Sequence, residues 1–326
     1  MAQVSPGAYG DSHMTLMIRD FRPADAEAAA AAYSAGRPHL LMTPETVGYL
    51  TAHVSPKMHY RLLVAELDGR VVGTVRCGVH ADSSTPGQGF ANVSVLPEHR
   101  RQGAGGALLQ AAEKHLAAYG VTQVHAWADD EPAAQDFAAR RGYRRGRICH
   151  FAHLDLTAGL RPVPPLPSGI ELRQATEYLD DPYPLYEVDV AGALDEPGDV
   201  DASEQEYEAW LAEIWNRPDL DRELTVVAVA DGRPVAFSAV QTDGGSRYWS
   251  AFTTTRAEYR GRGLAKLAKT HSLHRALAAG LTDAYTNNDA TNAPMLAIND
   301  WLGYRRCASE WKFIRDLSAD GNTPAP

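Results

Sequence analysis

The chain has 326 residues, of which 44% are hydrophobic and 22% charged, and a net charge of −10. This balance suits a water-soluble protein long enough for two hydrophobic cores, and its acidity excludes a general nucleic-acid binder, which needs a basic face. No apolar run reaches the length of a membrane helix or an export signal, and the three scattered cysteines, Cys77, Cys149 and Cys307, give neither a disulfide framework nor a metal knuckle. A reducing, cytoplasmic setting is expected, with no membrane and no nucleic acid as partner.

In chain order, residues 1–13 read as a flexible polar tail and a first domain is expected over 14–158. Leu62–Gly78 reads as strand, turn, strand, with Asp68-Gly69 as the hairpin signal. A further strand from Phe90 leads into the turn Arg100-Arg101-Gln102-Gly103-Ala104-Gly105-Gly106 and an amphipathic helix ending near Tyr119. A short strand over Gln123–Ala128, another helix and the closing Arg141-Gly142-Tyr143 follow.

Residues 159–168 are rich in proline, which favours extended geometry and cannot donate to a ladder, so they read as a semi-rigid linker. Beyond it, residues 169–317 repeat the first pattern, with a second flexible tail over 318–326. Leu224–Val240 is a strand pair turning at Asp231-Gly232. Trp249–Ala279 holds a strand, the turn Arg260-Gly261-Arg262-Gly263-Leu264-Ala265 and a helix; then come a strand over Thr282–Asn287, a helix and Leu302-Gly303-Tyr304. The turns begin 160 residues apart (100 and 260) and the Gly-Tyr pairs 161 apart (142 and 303). So many features at nearly one offset mark a duplicated domain. Residues 169–317 are therefore expected to fold as a unit when the linker is cut.

Each turn follows a β-rich strand and opens a helix, so unpaired backbone N–H groups and the positive end of the helix dipole converge on one spot. Glycine at Gly103, Gly105 and Gly263 removes the Cβ that would hold an anion away, and the arginines add charge-assisted bonds at the rim. The rival phosphate motifs fail on spacing. A dinucleotide fingerprint needs a third glycine or alanine where Leu108 stands, and no Lys-Ser/Thr follows for a Walker loop.

The turn, between a strand and a helix, resembles the acetyl-CoA pyrophosphate loop of the GNAT acyltransferase superfamily. The preceding Val93–His99 and Thr253–Tyr259 are similar to that family's bulged, pantetheine-pairing strand. The resemblance covers roughly residues 16–157 and 169–315. It implies an α+β fold of two GNAT domains, each a mixed, mostly antiparallel sheet flanked by helices. The layout is similar to that of tandem GNAT families. It also implies acetyl-CoA as acyl donor, bound by Val93, Val95, Arg100, Arg101, Gln102, Gly103, Ala104, Gly105 and Gly106 in the first copy. The second copy would use Thr253, Thr254, Thr255, Arg260, Gly261, Arg262, Gly263, Leu264, Ala265, Asn287 and Asn292. A backbone N–H of Val93–Val95 or of Thr253–Thr255 would serve as a single-donor oxyanion hole. The family's tyrosine, four residues before the closing glycine, is absent: Ala138 and Asn299 stand there. The family's asparagine, eleven before that glycine, is Glu131 in the first copy and Asn292 in the second. Asn299 can orient a thiolate or a water, which alanine cannot, so catalysis is expected in the second domain, at Asn299, Thr253 and Thr255.

Between Ile170 and Trp215 stand 14 Asp or Glu and one basic residue, Arg173. This stretch reads either as a field attracting a cationic amine or as a solvated face. Ser203-Glu204-Gln205-Glu206 reads as a capping box for a helix whose Tyr207, Trp210, Leu211, Ile214 and Trp215 belong to the core rather than to an acceptor pocket. Arg140, Arg141, Arg144, Arg145 and Arg147 would attract the 3′-phosphate of CoA or lie solvated at a helix end. His271 and His274 have the spacing of a metal pair but lack a third ligand, so no metal is assigned. Asp195 and Glu196 are candidate bases or ordinary turn residues. The expected activity is acetyl-CoA-dependent N-acetylation of a small amine-bearing metabolite or antibiotic-like compound. The alternatives are a non-catalytic acyl-CoA-binding regulator and an acetyltransferase for protein N-termini or lysines.

Overall fold

The computed structural model describes residues 15–194 and 203–317; both expected tails and the pair Asp195 and Glu196 lie outside them. The first half runs β1 (Leu16–Asp20), α1 (Ala26–Ser34), α2 (Pro44–His53), β2 (Arg61–Leu67), β3 (Arg70–Val79), β4 (Gln88–Val95), α3 (Ala104–Ala118), β5 (Gln123–Asp129), α4 (Pro132–Ala139) and β6 (Arg144–Asp155). The second runs β7 (Ile170–Gln174), α5 (Tyr183–Ala193), the short α6 (Tyr207–Trp210) and β8 (Val226–Ala230). It continues through β9 (Arg233–Thr242), β10 (Arg247–Thr255), α7 (Leu264–Ala278), β11 (Asp283–Asp289), α8 (Ala293–Leu302) and β12 (Arg305–Asp316). Both hairpins turn where the sequence places them. Asp68 and Asp231 each take φ +49° beside a glycine at +81° or +77°, the paired left-handed residues of a type I′ turn. Among the described residues no helix is long and apolar enough to cross a membrane.

Among the described residues twelve strands form one sheet in the order β1-β2-β3-β4-β5-β12-β6-β11-β10-β9-β8-β7. The order is symmetric about the β12–β6 pair, as a duplication related by a pseudo-two-fold requires. The closing strands cross over. β12, last in the chain, pairs antiparallel with β5 of the first half, from Glu310↔Asp129 to Asp316↔Gln123. β6 pairs with β11 of the second half, from Asp283↔Asp155 to Asp289↔Cys149. Packing follows pairing: Phe313 of β12 is buried in the first half's core with Leu108, Leu116 and Val124. Leu154 and Leu156 at the end of β6 are buried in the second half's core with Tyr248 and Leu273. The expectation that 169–317 folds alone therefore meets a ladder it does not contain, since such a fragment lacks β6 from between β11 and β12.

The linker is pinned along α7 and α8. Arg161 Nε donates to the Trp301 carbonyl, and His274 Nε2 bonds the Arg161 carbonyl. Residues 203–213 of the acidic segment are anchored rather than merely solvated, because they pack on the first half. Glu206 ion-pairs with Lys57, Glu213 accepts from the Ser55 amide, and Tyr49 donates to the Ala212 carbonyl. These contacts displace the expected capping box. The Ser203 amide donates to the Asp82 carbonyl, and the helix starts only at Tyr207, with Glu206 as a cap residue whose side chain makes no capping bond. The aromatic residues behind it are core as expected: Trp210 and Trp215 are buried, with Tyr207, Leu211 and Ile214 packed against them.

Candidate active site

The two glycine turns have the same backbone. Arg101 (φ +65°) and Gly261 (+75°) occupy one left-handed position, and Gly103 (+92°) and Gly263 (+77°) the next, as the residues that open α3 and α7. Arg100 Nε bonds the Val95 carbonyl and Arg260 Nε the Thr255 carbonyl, at 3.2 and 3.1 Å. Each loop is thus tied to the end of its strand and presents the first amides of its helix.

What lies before the loops differs. β10 and β11 pair in parallel only over Arg247–Trp249 and Asp283–Tyr285, so from Ser250 onward that edge of β10 has no ladder partner. The strands enclose a cleft of about 850 Å³. Its walls include Thr253, Thr254 and Thr255 from β10, and Arg260, Gly261, Gly263, Leu264 and Ala265 from the loop. Asn287 and Asn292 close the far side. Of the second-copy residues picked out by sequence, Arg262 lies off the wall, its guanidinium over the Tyr259 ring. β10 bulges at Ala251, between the pairs Ser250↔Val240 and Phe252↔Ala239. β4, one residue shorter, pairs with β3 in unbroken register. The bulge expected in both copies is present only in the second.

In the first half the chain's own side chains close on the corresponding strands and helix start. Asn92 Oδ1 accepts from the Trp127 amide at 3.0 Å, bridging β4 and β5 where they begin to part. The Phe137 ring lies so close to Gly105 that a Cβ there would stand 3.2 Å from it, and Arg141 lies 2.8 Å from the Cβ position of Gly106. Arg141 also stacks on Phe137 with Cζ 3.7 Å from the ring centre. Gly105 and Gly106 thus admit the chain's own side chains to the helix start. The second copy has Ile298 and Leu302 in their places. Val93 and Val95 pack on the first core together with Phe137, and Gln102 Nε2 reaches the Glu98 carbonyl. The arginines beside α4 find partners of their own: Arg140 with Asp136, Arg144 with Asp316, Arg145 over Trp311 and Arg147 with Asp289.

Asn299 is buried under the cleft wall with both ends of its carboxamide engaged. Oδ1 accepts from Lys269 Nζ at 2.7 Å and Nδ2 donates to Asn288 Oδ1 at 2.6 Å. Asn292 caps α8, its Oδ1 accepting from the Met295 amide. Lys269 is the residue that sequence reading missed. It is fully buried on α7, lines the cleft, and burial pulls its ammonium down to about 7. Aligning the repeats offers a signal for it, because Leu109 holds the same place in α3. Elsewhere in the cleft Thr253 and Ser238 share a hydroxyl hydrogen bond at 3.0 Å. Glu187 of α5 ion-pairs with Arg256 just after β10.

The first half retains a polar cluster on β12, β5 and the loop after α1. Burial raises the Glu310 carboxyl to about 7, with Asp129 pushing the same way and Arg37 and Arg76 opposing. Arg37 approaches Asp129 at 3.7 Å and donates to Ser94 Oγ at 2.8 Å.

Two family profiles match the chain side by side, an acetyltransferase (GNAT) domain over residues 58–145 and the acetyltransferase (GNAT) family over residues 179–303. The chain belongs to the GNAT family. It is an acyltransferase with two GNAT domains in tandem. The mycothiol acetyltransferase of Clavibacter michiganensis subsp. michiganensis is 31% identical over 267 residues, spanning 79% of this chain and 78% of that protein. That of Kineococcus radiotolerans is 30% identical over 259 residues, spanning 77% and 80%. The match to the Salinispora arenicola enzyme of the same name, 36% over 124 residues, spans 38% of that protein. Among solved structures, a tandem GNAT protein from the clavulanic acid biosynthesis pathway superposes with a TM-score of 0.72 at 20% identity, over 96% of this chain and 100% of that one. A GCN5-related N-acetyltransferase from Sphaerobacter thermophilus gives 0.67 at 21%, over 92% and 95%. At these identities the structures speak to the fold alone.

Proposed function

We propose that this GNAT protein transfers an acetyl group from acetyl-CoA to the amine of a small metabolite, and that its second half does so. We read 14–158 and 169–317 as the two domains, joined by the linker 159–168. The asymmetry between two equal loops is the observation that supports the reading: Gly263 borders a cleft of about 850 Å³, whereas Phe137 and Arg141 close on Gly105 and Gly106 behind the first loop. The amides opening α7 would hold the pyrophosphate. The free edge of β10 beyond its bulge would receive the pantetheine and set a backbone N–H of Thr253–Thr255 against the thioester oxygen. That donor stabilises the tetrahedral intermediate formed when the neutral amine attacks. Asn287, Asn292 and Asn299 sit at the far wall of this path or beneath it.

The test is free-thiol release from acetyl-CoA across three acceptor sets. They are small amines, including the acceptor of the mycothiol acetyltransferases; cationic amines; and peptides with free N-termini or lysines. Release with a small amine supports the reading, and release confined to peptides makes the protein a protein acetyltransferase. Tight binding without release from any set makes it a non-catalytic acyl-CoA-binding regulator.

A further inference from the structure

Lys269 is an anomaly in the core of the second half. It is fully buried, in the middle of α7, and its Nζ has one polar partner, the neutral Oδ1 of Asn299 at 2.7 Å. The ring of Tyr304 lies 5.1 Å away. Among the described residues no carboxylate forms an ion pair with it, and none faces it from the elements packed around it. β8 carries no titratable side chain, and Arg247 of β10 is paired with Asp243. Tyr248 of β10 and Tyr304 at the head of β12 are phenols kept neutral by burial. On β11, Asp283 is bonded to His153 and Asp289 to Arg147, and Asp300 of α8 is exposed.

Burying an ammonium against a single neutral acceptor opposes folding. The first half shows that nothing in the fold requires it, since Leu109 fills the same site in α3 at 4% exposure. A destabilising group kept where its sibling copy has a leucine points to function. Leu109 is packed within the first core, whereas Lys269, itself fully buried, lies just beneath the surface of the open cleft beside Thr286 and Asn288. Neither copy has a tyrosine four residues before the closing glycine. In the second copy that position is Asn299, which grips the lysine.

We propose that Lys269 is the acid that protonates the departing CoA thiolate, with Asn299 as the positioning residue that holds its Nζ just beneath the cleft wall. This rests on the reading of the cleft as the acetyl-CoA site. The acceptor nitrogen forms its bond to the thioester carbonyl carbon, and the C–S bond breaks with its electron pair on sulfur. Sulfur takes a proton from the Lys269 ammonium, and the proton lost by the acceptor nitrogen reaches solvent and restores the ammonium. An amine titrating near neutrality can both give and regain that proton at each turnover.

Two measurements on the full chain test this, using Lys269→Met and Lys269→Gln; the second keeps a donor to Asn299 without a transferable proton. The first follows the thiolate absorbance of bound CoA against pH. In the wild-type protein the bound thiol should ionise at least about one pH unit below free CoA, drawn down by the adjacent ammonium, and both variants should lose that shift. The second is kinetic. Both variants should lose about tenfold or more in kcat with the acetyl-CoA KM nearly unchanged, while Lys269→Met melts at a higher temperature than wild type. A purely structural lysine predicts the reverse, with lower melting temperature and unaltered thiol titration, and that outcome overturns the proposal. Failure of CoA to bind at all sinks the reading of the cleft and the proposal with it. Binding with an unmoved thiol titration sinks the role of Lys269 alone.

Discussion

A Cβ placed on Gly192 would stand 2.0 Å from Thr254 Oγ1 and 2.7 Å from its Cβ, so the end of α5 meets β10 at a distance only glycine allows. The contact sets the wall of the cleft, because both residues line it. Gly192→Ala must push the helix from the strand or turn Thr254 out of its buried position. The expected cost is about 1–3 kcal/mol of stability, the usual range for overpacking, with weaker binding of acetyl-CoA. Denaturant melts and calorimetric titration check both, and an unaltered melt would mean that helix and strand part freely.

The asymmetry of the two halves sets the binding stoichiometry. One acetyl-CoA per chain is expected by calorimetry. Gly263→Val, which forces a branched side chain into a left-handed position (φ +77°) at the mouth of the cleft, should weaken binding by about tenfold or more. Gly103→Val should leave both affinity and turnover largely intact. Two bound equivalents in the wild-type protein would contradict this.

Glu310 makes stability depend on pH in a definite direction. Its folded carboxyl titrates near 7 instead of the ordinary 4.5, so between those values the folded state holds the extra proton. Stability from this group is full below about pH 4.5 and is lost as pH rises through 7. Glu310→Gln should therefore match wild type near pH 5 and exceed it near pH 8, by on the order of 2 kcal/mol. Equal stabilities at both pH values would show that Arg37 and Arg76 already offset the buried charge.

Cutting the linker should not separate the halves. With a protease site inserted between Val163 and Leu166, both exposed, the cleaved chains should elute together under native conditions, held by the β6–β11 and β12–β5 ladders. Residues 169–317 expressed alone should be insoluble or unfolded. A soluble, cooperatively melting fragment would show that β12 can close the second sheet by itself.

The features legible in the sequence are those written in local chemistry. The Asp-Gly hairpins, the left-handed glycines opening α3 and α7, and the amphipathic helix over 104–118 depend on residues adjacent in the chain. Their repetition at one offset gave the duplicated fold. The crossover of β6 and β12 was invisible because each carries the same closing-strand pattern and fits either half's edge. The approach of Phe137 and Arg141 to the first helix start was equally hidden. A glycine turn looks the same whether an anion or Phe137 approaches it, and only the pairing of Phe137 with Ile298 across the repeat distinguishes them. The false capping box at Ser203 had a related cause, since contacts with Lys57 and the Asp82 carbonyl, over a hundred residues away, set that segment's course.

The crossover also fixes an order of events during synthesis. The first half is made first, yet its sheet has an open edge at β5 until the final strand leaves the ribosome, after roughly two hundred further residues have been added. Unpaired edges of this kind invite association with other chains. A ribosome that stops short of Arg305 therefore releases a product with both halves' sheets incomplete. Surveillance of β12 is in effect surveillance of both halves.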